Sequence, residues 1–295
     1  MRKISNSAQT RYVVITPARD EARYLPETIR SVAGQTLRPT EWVIVDDGST
    51  DETGEIIDRA AAQHEWITAV HRNDRGMREN NTGAVEAFCD GHRALKIDDW
   101  DFLVNLDGDL SLREDYFERC IDEFLRDPKL GIGGGTLYHF EKGVSTLETC
   151  PLFHVRGATK IYRRTCWNAI GGLPANPGWD TIDELKANML GWKTRSFPKI
   201  QARHCRSTGA AHGVWRDAVK NGQAEYFSGY HPLFMLTKCL RRLIQQGSIV
   251  GSAGLVYGFA AAYINKRPIV NDEDLVSYVR KQQIRRLLLL DSIWK

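Results

Sequence analysis

Two clusters of aspartates stand at the ends of two apolar runs. Val43-Ile44-Val45 leads into Asp46-Asp47-Gly48-Ser49-Thr50-Asp51, and Phe102-Leu103-Val104-Asn105-Leu106 leads into Asp107-Gly108-Asp109. If both runs are strands of one sheet, Asp46, Asp47, Asp107 and Asp109 crowd one edge. Like charges this close are costly unless a cation or a ligand's hydrogen-bond donors lie between them. The D-x-D pair suits a divalent ion that bridges diphosphate oxygens. The Asp46–Asp51 run suits a nucleotide, because carboxylates accept from base N–H groups and ribose hydroxyls while a helix N-terminus favours phosphate. Both runs also serve in ordinary turns and caps. Their position directly after apolar strands is what favours the chemical reading.

A third acidic cluster, Trp179-Asp180-Thr181-Ile182-Asp183-Glu184, opens an amphipathic helix. Asp180, Asp183 and Glu184 share one face at i, i+3 and i+4. They can serve as a general base toward a hydroxyl or merely complement the helix dipole. The Arg75–Asn81 loop offers Arg75 and Arg78, whose guanidinium groups suit phosphate; a solvated loop is the plainer reading.

The elements that must position these groups alternate. Tyr12–Thr16, Trp42–Val45, Thr68–His71 and Asp101–Leu106 read as strands, with helical spacing from Leu25, after Asp51, over Gly83–Leu95 and over Asp115–Leu125. Pro26 sits where a first helical turn tolerates proline. Strand–helix alternation predicts a parallel sheet with right-handed crossovers, and ligands bind beyond the carboxyl ends of such strands. Further on, Gly131–Leu137, Gly157–Tyr162 and Thr194–Phe197 read as strands, the last ended by Pro198.

The 295 residues fit one large domain or one domain with an appendage, and 42% apolar content supports a core. A net charge of +3 leaves no nucleic-acid footprint. The six cysteines show no CxxC or zinc spacing, which suits reduced thiols in the cytosol. Met1–Arg11 is polar, unlike a signal peptide. Ser248–Asn265 carries no charge but holds three glycines, and Arg241-Arg242 and Lys266-Arg267 flank it. This predicts an interfacial or re-entrant helix pair at an anionic surface rather than a membrane span, or else helices packed on the main domain.

Taken in order, these motifs resemble the family 2 glycosyltransferases of the GT-A fold over about residues 12–205. The resemblance includes Pro17-Ala18-Arg19-Asp20-Glu21 (the family usually has Asn at Asp20), Ser31–Thr36, the Asp46–Asp51 run, Asp107-Gly108-Asp109, Gly157–Arg163, Gly171-Gly172-Leu173 and an acidic motif before Gly191-Trp192-Lys193. It implies an α/β GT-A fold with a mostly parallel, Rossmann-like sheet flanked by helices. It further implies that Pro17, Glu21, Asp46 or Asp47, and Asp107 line the nucleotide-sugar pocket, and that Asp107 and Asp109 hold a metal–diphosphate. His204 falls where some relatives place a histidine on the metal. The catalytic aspartate falls on Asp180, with Trp179 where Glu is usual, and Asp183 is the rival base. The Gln-x-x-Arg-Trp motif of processive synthases is missing, Trp215-Arg216 being a faint echo, so transfer of a single sugar is expected.

The resulting expectation is a GT-A catalytic domain over 12–215 and a helical, basic and apolar extension over 216–295. The activity implied is an inverting, metal-dependent hexosyl-type transfer, with Mg2+ or Mn2+, from a nucleotide-diphosphate sugar to an acceptor hydroxyl. The implied acceptor is a saccharide or a polyprenyl-linked one in surface polysaccharide or lipid-linked glycan synthesis. The expected place is the cytoplasm, with peripheral contact at the inner face of the cell membrane. The alternatives are a nucleotidyltransferase, whose Gly-rich signature after the first strand is lacking, and a non-catalytic sugar-nucleotide-binding protein. A dehydrogenase is disfavoured, since no G-x-G-x-x-G follows the first strand.

Overall fold

The structure is a computed structural model. It describes residues 10–74, 76, 82–141, 144–148, 150–174, 178–206, 213–246 and 249–294. Apart from Gly76, the Arg75–Asn81 loop lies outside the described residues. The chain divides into two compact units: Met1–Asn176 with Leu190–Arg206, and Pro177–Met189 with Ser207–Lys295.

In the first unit the described elements are, in order, β1 (Tyr12–Ala18), α1 (Leu25–Ala33), β2 (Glu41–Asp46), α2 (Thr53–Gln63), β3 (Ile67–His71), α3 (Thr82–Arg93), β4 (Phe102–Leu106), β5 (Leu110–Leu112), α4 (Tyr116–Arg126), β6 (Leu130–Glu141), β7 (Val144–Leu147), β8 (Thr159–Arg163) and α5 (Arg164–Ile170). After α6 (Trp179–Met189), which belongs to the second unit, β9 (Lys193–His204) completes the sheet. The strand order is β3-β2-β1-β4-β8-β6-β9-β5, with β7 folded back on β6.

β3, β2, β1 and β4 are mutually parallel. Their continuous apolar sequences follow from burial on both faces: Tyr12, Val14, Trp42, Ile44, Phe102 and Val104 enter the main core, and Val43 and Val45 pack with Ala87 of α3 on the other face. Beyond β4 the directions change. β8 runs antiparallel to β4 and β6, while β9 is parallel to β6 and antiparallel to β5.

β9 does not stop at Pro198, as the sequence suggested. The register steps from Gly135↔Phe197 directly to Thr136↔Gln201, so Pro198, Lys199 and Ile200 bulge out and the strand resumes to His204. A proline cannot donate to a ladder, and a bulge is where a strand accommodates one.

The second unit holds α6, α7 (Val214–Phe227), α8 (Pro232–Gln246), α9 (Ile249–Ile264) and α10 (Glu273–Leu287). Ile182, Leu185, Tyr230, Phe234, Met235, Leu255, Phe259, Leu275 and Val279 form its core. The glycines of the uncharged stretch have a packing role. A Cβ on Gly258 would collide with the Val219 backbone, and one on Gly222 with the backbone of Leu255 and Phe259. α7 and α9 therefore meet backbone to backbone. No helix among the described residues is long and apolar enough to cross a membrane.

Candidate active site

The loops after β1, β2 and β4 lie at the same edge of the sheet, because the three strands are parallel neighbours. The first two are stitched together. Asp47 N–H donates to Ala18 O at 2.8 Å, Glu21 N–H to Thr53 Oγ1 at 2.8 Å, and Thr50 N–H to Asp20 Oδ1 at 2.9 Å. Asp20 has φ +53°, a left-handed backbone that Asn and Asp tolerate better than most residues. The same preference accounts for the Asn–Asp exchange seen in the sequence. Gly48 has φ +69°, and a Cβ there would lie 2.5 Å from Asp74 Cα, so the turn after the two aspartates requires glycine.

Asp46 and Asp47 are both buried, and their partners differ. Asp46 Oδ1 accepts from Ser49 N–H at 2.9 Å and Oδ2 lies 3.2 Å from His71 Nδ1. Asp46 thus organises its own turn. A hydrogen bond to Asp58, opposed by burial and joined by Asp46, raises the His71 pKa. Asp47 Oδ1 accepts from Arg72 at 2.6 Å, and Arg72 also meets Asp90 at 2.7 Å. Asp51 does not cap α2 as an N-cap residue; it accepts from Thr53 N–H at 3.0 Å one position before the Glu52 N-cap.

The D-x-D turn is held by Thr28, whose hydroxyl donates to Gly108 O at 2.8 Å, and by Cys205 N–H, which donates to Asp109 O at 2.8 Å. Asp107 is half-buried, its N–H bonded to Ala158 O at 2.9 Å. Asp109 is only 6% exposed. Its Oδ2 lies 3.4 Å from His204 Nε2 and 3.5 Å from Arg206 Nε. Arg206 also pairs with Glu21, which joins the β1 loop to the D-x-D. Asp109 Oδ1 is buried with no hydrogen-bond partner among the described residues. A buried carboxylate oxygen left so costs on the order of 1–3 kcal/mol or more.

That orphaned oxygen beside an imidazole is the donor set a divalent cation takes, so the residues fit a metal ion at Asp109 and His204. His204 is itself sandwiched. Its Nδ1 lies 3.2 Å from Glu148 Oε1, and its ring stacks on His139 with centroids 5.0 Å apart. Burial opposes charge on His204, but hydrogen bonds and attraction to Asp109 and Glu148 outweigh it and raise its pKa to about 9. Burial likewise opposes charge on Glu148, yet His204, Arg156 and His139 lower its pKa to about 2.

Asp180 and Asp183 lie on α6 in the second unit. Asp180 is half-buried in the first turn. Asp183 is 1% exposed, and its Oδ1 accepts from Glu184 N–H at 2.7 Å.

Residues 13–170, more than half of the chain, match the family model for glycosyl transferase family 2. The chain belongs to that family. Among curated relatives of this family 2 chain, the Escherichia coli chondroitin synthase is 30% identical over 117 residues, 40% of this chain and 16% of that protein. The glycosyltransferase GlyG of Streptococcus pneumoniae is 24% identical over 129 residues, 44% of this chain and 40% of that protein. The chain thus spans less than half the length of these two relatives.

Among solved structures, the mannosyltransferase PcManGT of Pyrobaculum calidifontis, in complex with GDP-Man and Mn2+, superposes with a TM-score of 0.57 at 17% identity, covering 95% of this chain and 81% of that one. TarS 1–349 of S. aureus superposes at 0.54 with 13% identity, covering 93% and 82%. These likenesses establish the GT-A fold for the family 2 chain.

Pro17, in β1 beside Val45, and Glu21, Asp46, Asp47, Asp107, Asp109 and His204 share the first unit. Sequence reasoning missed Arg72, Arg206, His139, Glu148 and Arg156. None stands in a recognisable spacing.

Proposed function

We propose that this chain is an inverting, metal-dependent glycosyltransferase that moves a sugar from a nucleoside-diphosphate donor to an acceptor hydroxyl. The observation that carries the reading is Asp109: a buried carboxylate with one oxygen unpartnered, beside His204, at the edge of a parallel sheet where the nucleotide loops converge. Inversion, the hexosyl class and a saccharide or polyprenyl-linked acceptor rest on the family resemblance. The donor class is supported by fold neighbours solved with GDP-Man and Mn2+ or with UDP-GlcNAc.

In this reading Asp109 and His204, with Asp107, hold Mg2+ or Mn2+, which when bound supplies positive charge for the departing diphosphate. Pro17 and Glu21 line the nucleotide pocket. Asp47 contacts base or ribose, while Asp46 shapes the turn that presents it. Asp180, rather than the enclosed Asp183, takes the acceptor proton, because a base must be reachable by the hydroxyl it serves. Residues 12–215 form the catalytic segment and 216–295 the extension.

The extension is proposed to rest on an anionic membrane surface. α8 turns Leu233, Leu236, Leu240, Leu243 and Ile244 outward, and α9 does the same with Ile249, Val250, Val256, Tyr257, Tyr263 and Ile264. From Pro232 to Asn271 there is no acidic residue, against Lys238, Arg241, Arg242, Lys266 and Arg267. Apolar faces edged by cations suit an interface. α9, with 16 residues, is about 24 Å long, short of the roughly 30 Å hydrocarbon layer.

The deciding experiment is a donor-hydrolysis panel of sugar nucleotides with Mn2+, with Mg2+ and with chelator. Release of nucleoside diphosphate from one donor, dependent on the ion and lost in Asp109→Asn, is expected. Pyrophosphate release would support a nucleotidyltransferase instead, and binding without turnover in the presence of acceptors would support a non-catalytic protein.

A further inference from the structure

His139, Glu148 and His204 form a compact cluster that the sequence gives no hint of, since His204 lies 56 residues beyond Glu148. Two features of the sheet assemble it. The parallel register of β6 and β9 sets His139 directly opposite His204, which is why the two rings stack. The β6–β7 hairpin then folds back, pairing Leu147 with Tyr138, and Glu148 N–H donates to Leu137 O at 2.8 Å. Glu148 thereby arrives beside both rings.

We propose that Glu148 is a positioning residue for the ion site: by accepting the Nδ1 proton of His204 it leaves Nε2 as the nitrogen that faces Asp109 and a bound divalent ion. This rests on the metal-dependent reading above. The geometry is specific. Each nitrogen of His204 faces one carboxylate, Nδ1 at 3.2 Å from Glu148 Oε1 and Nε2 at 3.4 Å from Asp109 Oδ2. A neutral imidazole carries one N–H and one lone pair, so the carboxylate that accepts the N–H decides which nitrogen can ligate. Metal-bound histidines commonly donate their other N–H to a carboxylate, and loss of that partner typically weakens metal binding about 10–100-fold.

Glu148 is itself held. His139 Nε2 lies 2.6 Å from Oε1, and Arg156 Nε lies 2.8 Å from Oε2 as an ion pair without the alignment of a hydrogen bond. Both oxygens of Glu148 are thus engaged, Oε1 by two imidazoles and Oε2 by a guanidinium, whereas Asp109 keeps one oxygen without a hydrogen-bond partner among the described residues; Glu148 is therefore placed to orient a ligand and Asp109 to be one.

The test uses the full chain with Mn2+ as probe, titrated by electron paramagnetic resonance without donor. It covers wild type, Glu148→Ala, Glu148→Gln, Glu148→Asp and Asp109→Asn. Glu148→Ala is expected to weaken Mn2+ binding about 10–100-fold, Glu148→Gln less, and Glu148→Asp least. In the Zn2+-loaded protein, 15N spectra of His204 should show Nδ1 protonated in wild type and a tautomer mixture in Glu148→Ala. Unfolding curves identify any variant that fails to fold, and the tautomer of Glu148→Gln then decides. Mn2+ binding in Glu148→Ala within twofold of wild type overturns the proposal, as does Nδ1 as the metal-bound nitrogen, which would place the ion among His139, Glu148 and His204. Wild type that binds no Mn2+ overturns the metal-dependent reading itself, and this inference with it.

Discussion

Asp109, in the turn just before β5, faces His204 at the end of β9, Oδ2 and Nε2 standing 3.4 Å apart where the register pairs Leu110 with His204. The contact unites a residue at the end of the D-x-D with one nearly a hundred positions later. Asp109→Asn should remove the charge that attracts a cation while keeping the shape. Transfer is expected to fall by about 10²-fold or more. Mn2+, which should raise the thermal midpoint of wild type by binding the native state, should leave the variant's midpoint unmoved.

The Glu148–His204 pair gives the ion-free chain a defined pH response. His204 is raised from 6.5 to about 9, so its contribution is complete below about pH 6.5 and is lost as pH rises through about 9. Glu148 is lowered from 4.5 to about 2, so its contribution is complete above about pH 4.5 and is lost as pH falls through about 2. Urea midpoints measured in chelator should therefore decline between pH 6.5 and 9.5. A decline of the same size in His204→Gln would assign it to other groups.

Asp180 and Asp183 of α6 should separate by phenotype. Asp180→Asn is expected to lower kcat by about 10²–10⁴-fold with little change in unfolding. Asp183→Ala removes a carboxylate that is 1% exposed and contacts Glu184 N–H at 2.7 Å, and should cost about 1–3 kcal/mol in urea unfolding. Full activity in Asp180→Asn would remove that residue from the reaction.

The backbone seam between α7 and α9 predicts a stability effect far from the chemistry. Gly258→Leu must push Val219 aside and should destabilise by about 1–3 kcal/mol. An unchanged urea midpoint would show that the helices part at no cost.

The outward apolar faces of α8 and α9 predict charge-dependent vesicle binding. Wild type should co-sediment with vesicles containing anionic phosphatidylglycerol, less so at high salt. The double variant Leu236→Glu/Leu240→Glu should lose most of that binding while its unfolding midpoint holds, since both side chains are more than half exposed. Equal binding to neutral phosphatidylcholine vesicles would argue against the basic residues' part.

What the sequence made legible follows from where the information is local. Asp46, Asp47, Asp107 and Asp109 stand at the ends of apolar strands, so their shared edge could be read directly. The left-handed backbone at Asp20 and Gly48 became visible only in the fold. His204 was legible only through resemblance, and Glu148, His139 and Arg206 not at all. Their meeting is decided by strand register and by one hairpin. Pro198 misled for the same reason: a proline usually ends a strand, and only the partner strand shows that this one resumes.

The bulge at Pro198, Lys199 and Ile200 carries a consequence for how such a site can change. Gln201–His204 keep their own pairing with Thr136–His139, so the three looped-out residues take up the slack between two stretches of ladder. A residue gained or lost there would be absorbed in the bulge while the pairing on either side stays in step. The aim of His204 is thereby insulated from small changes in segment length beside it, and the bulge is where this strand can vary without disturbing the atoms that meet the ion.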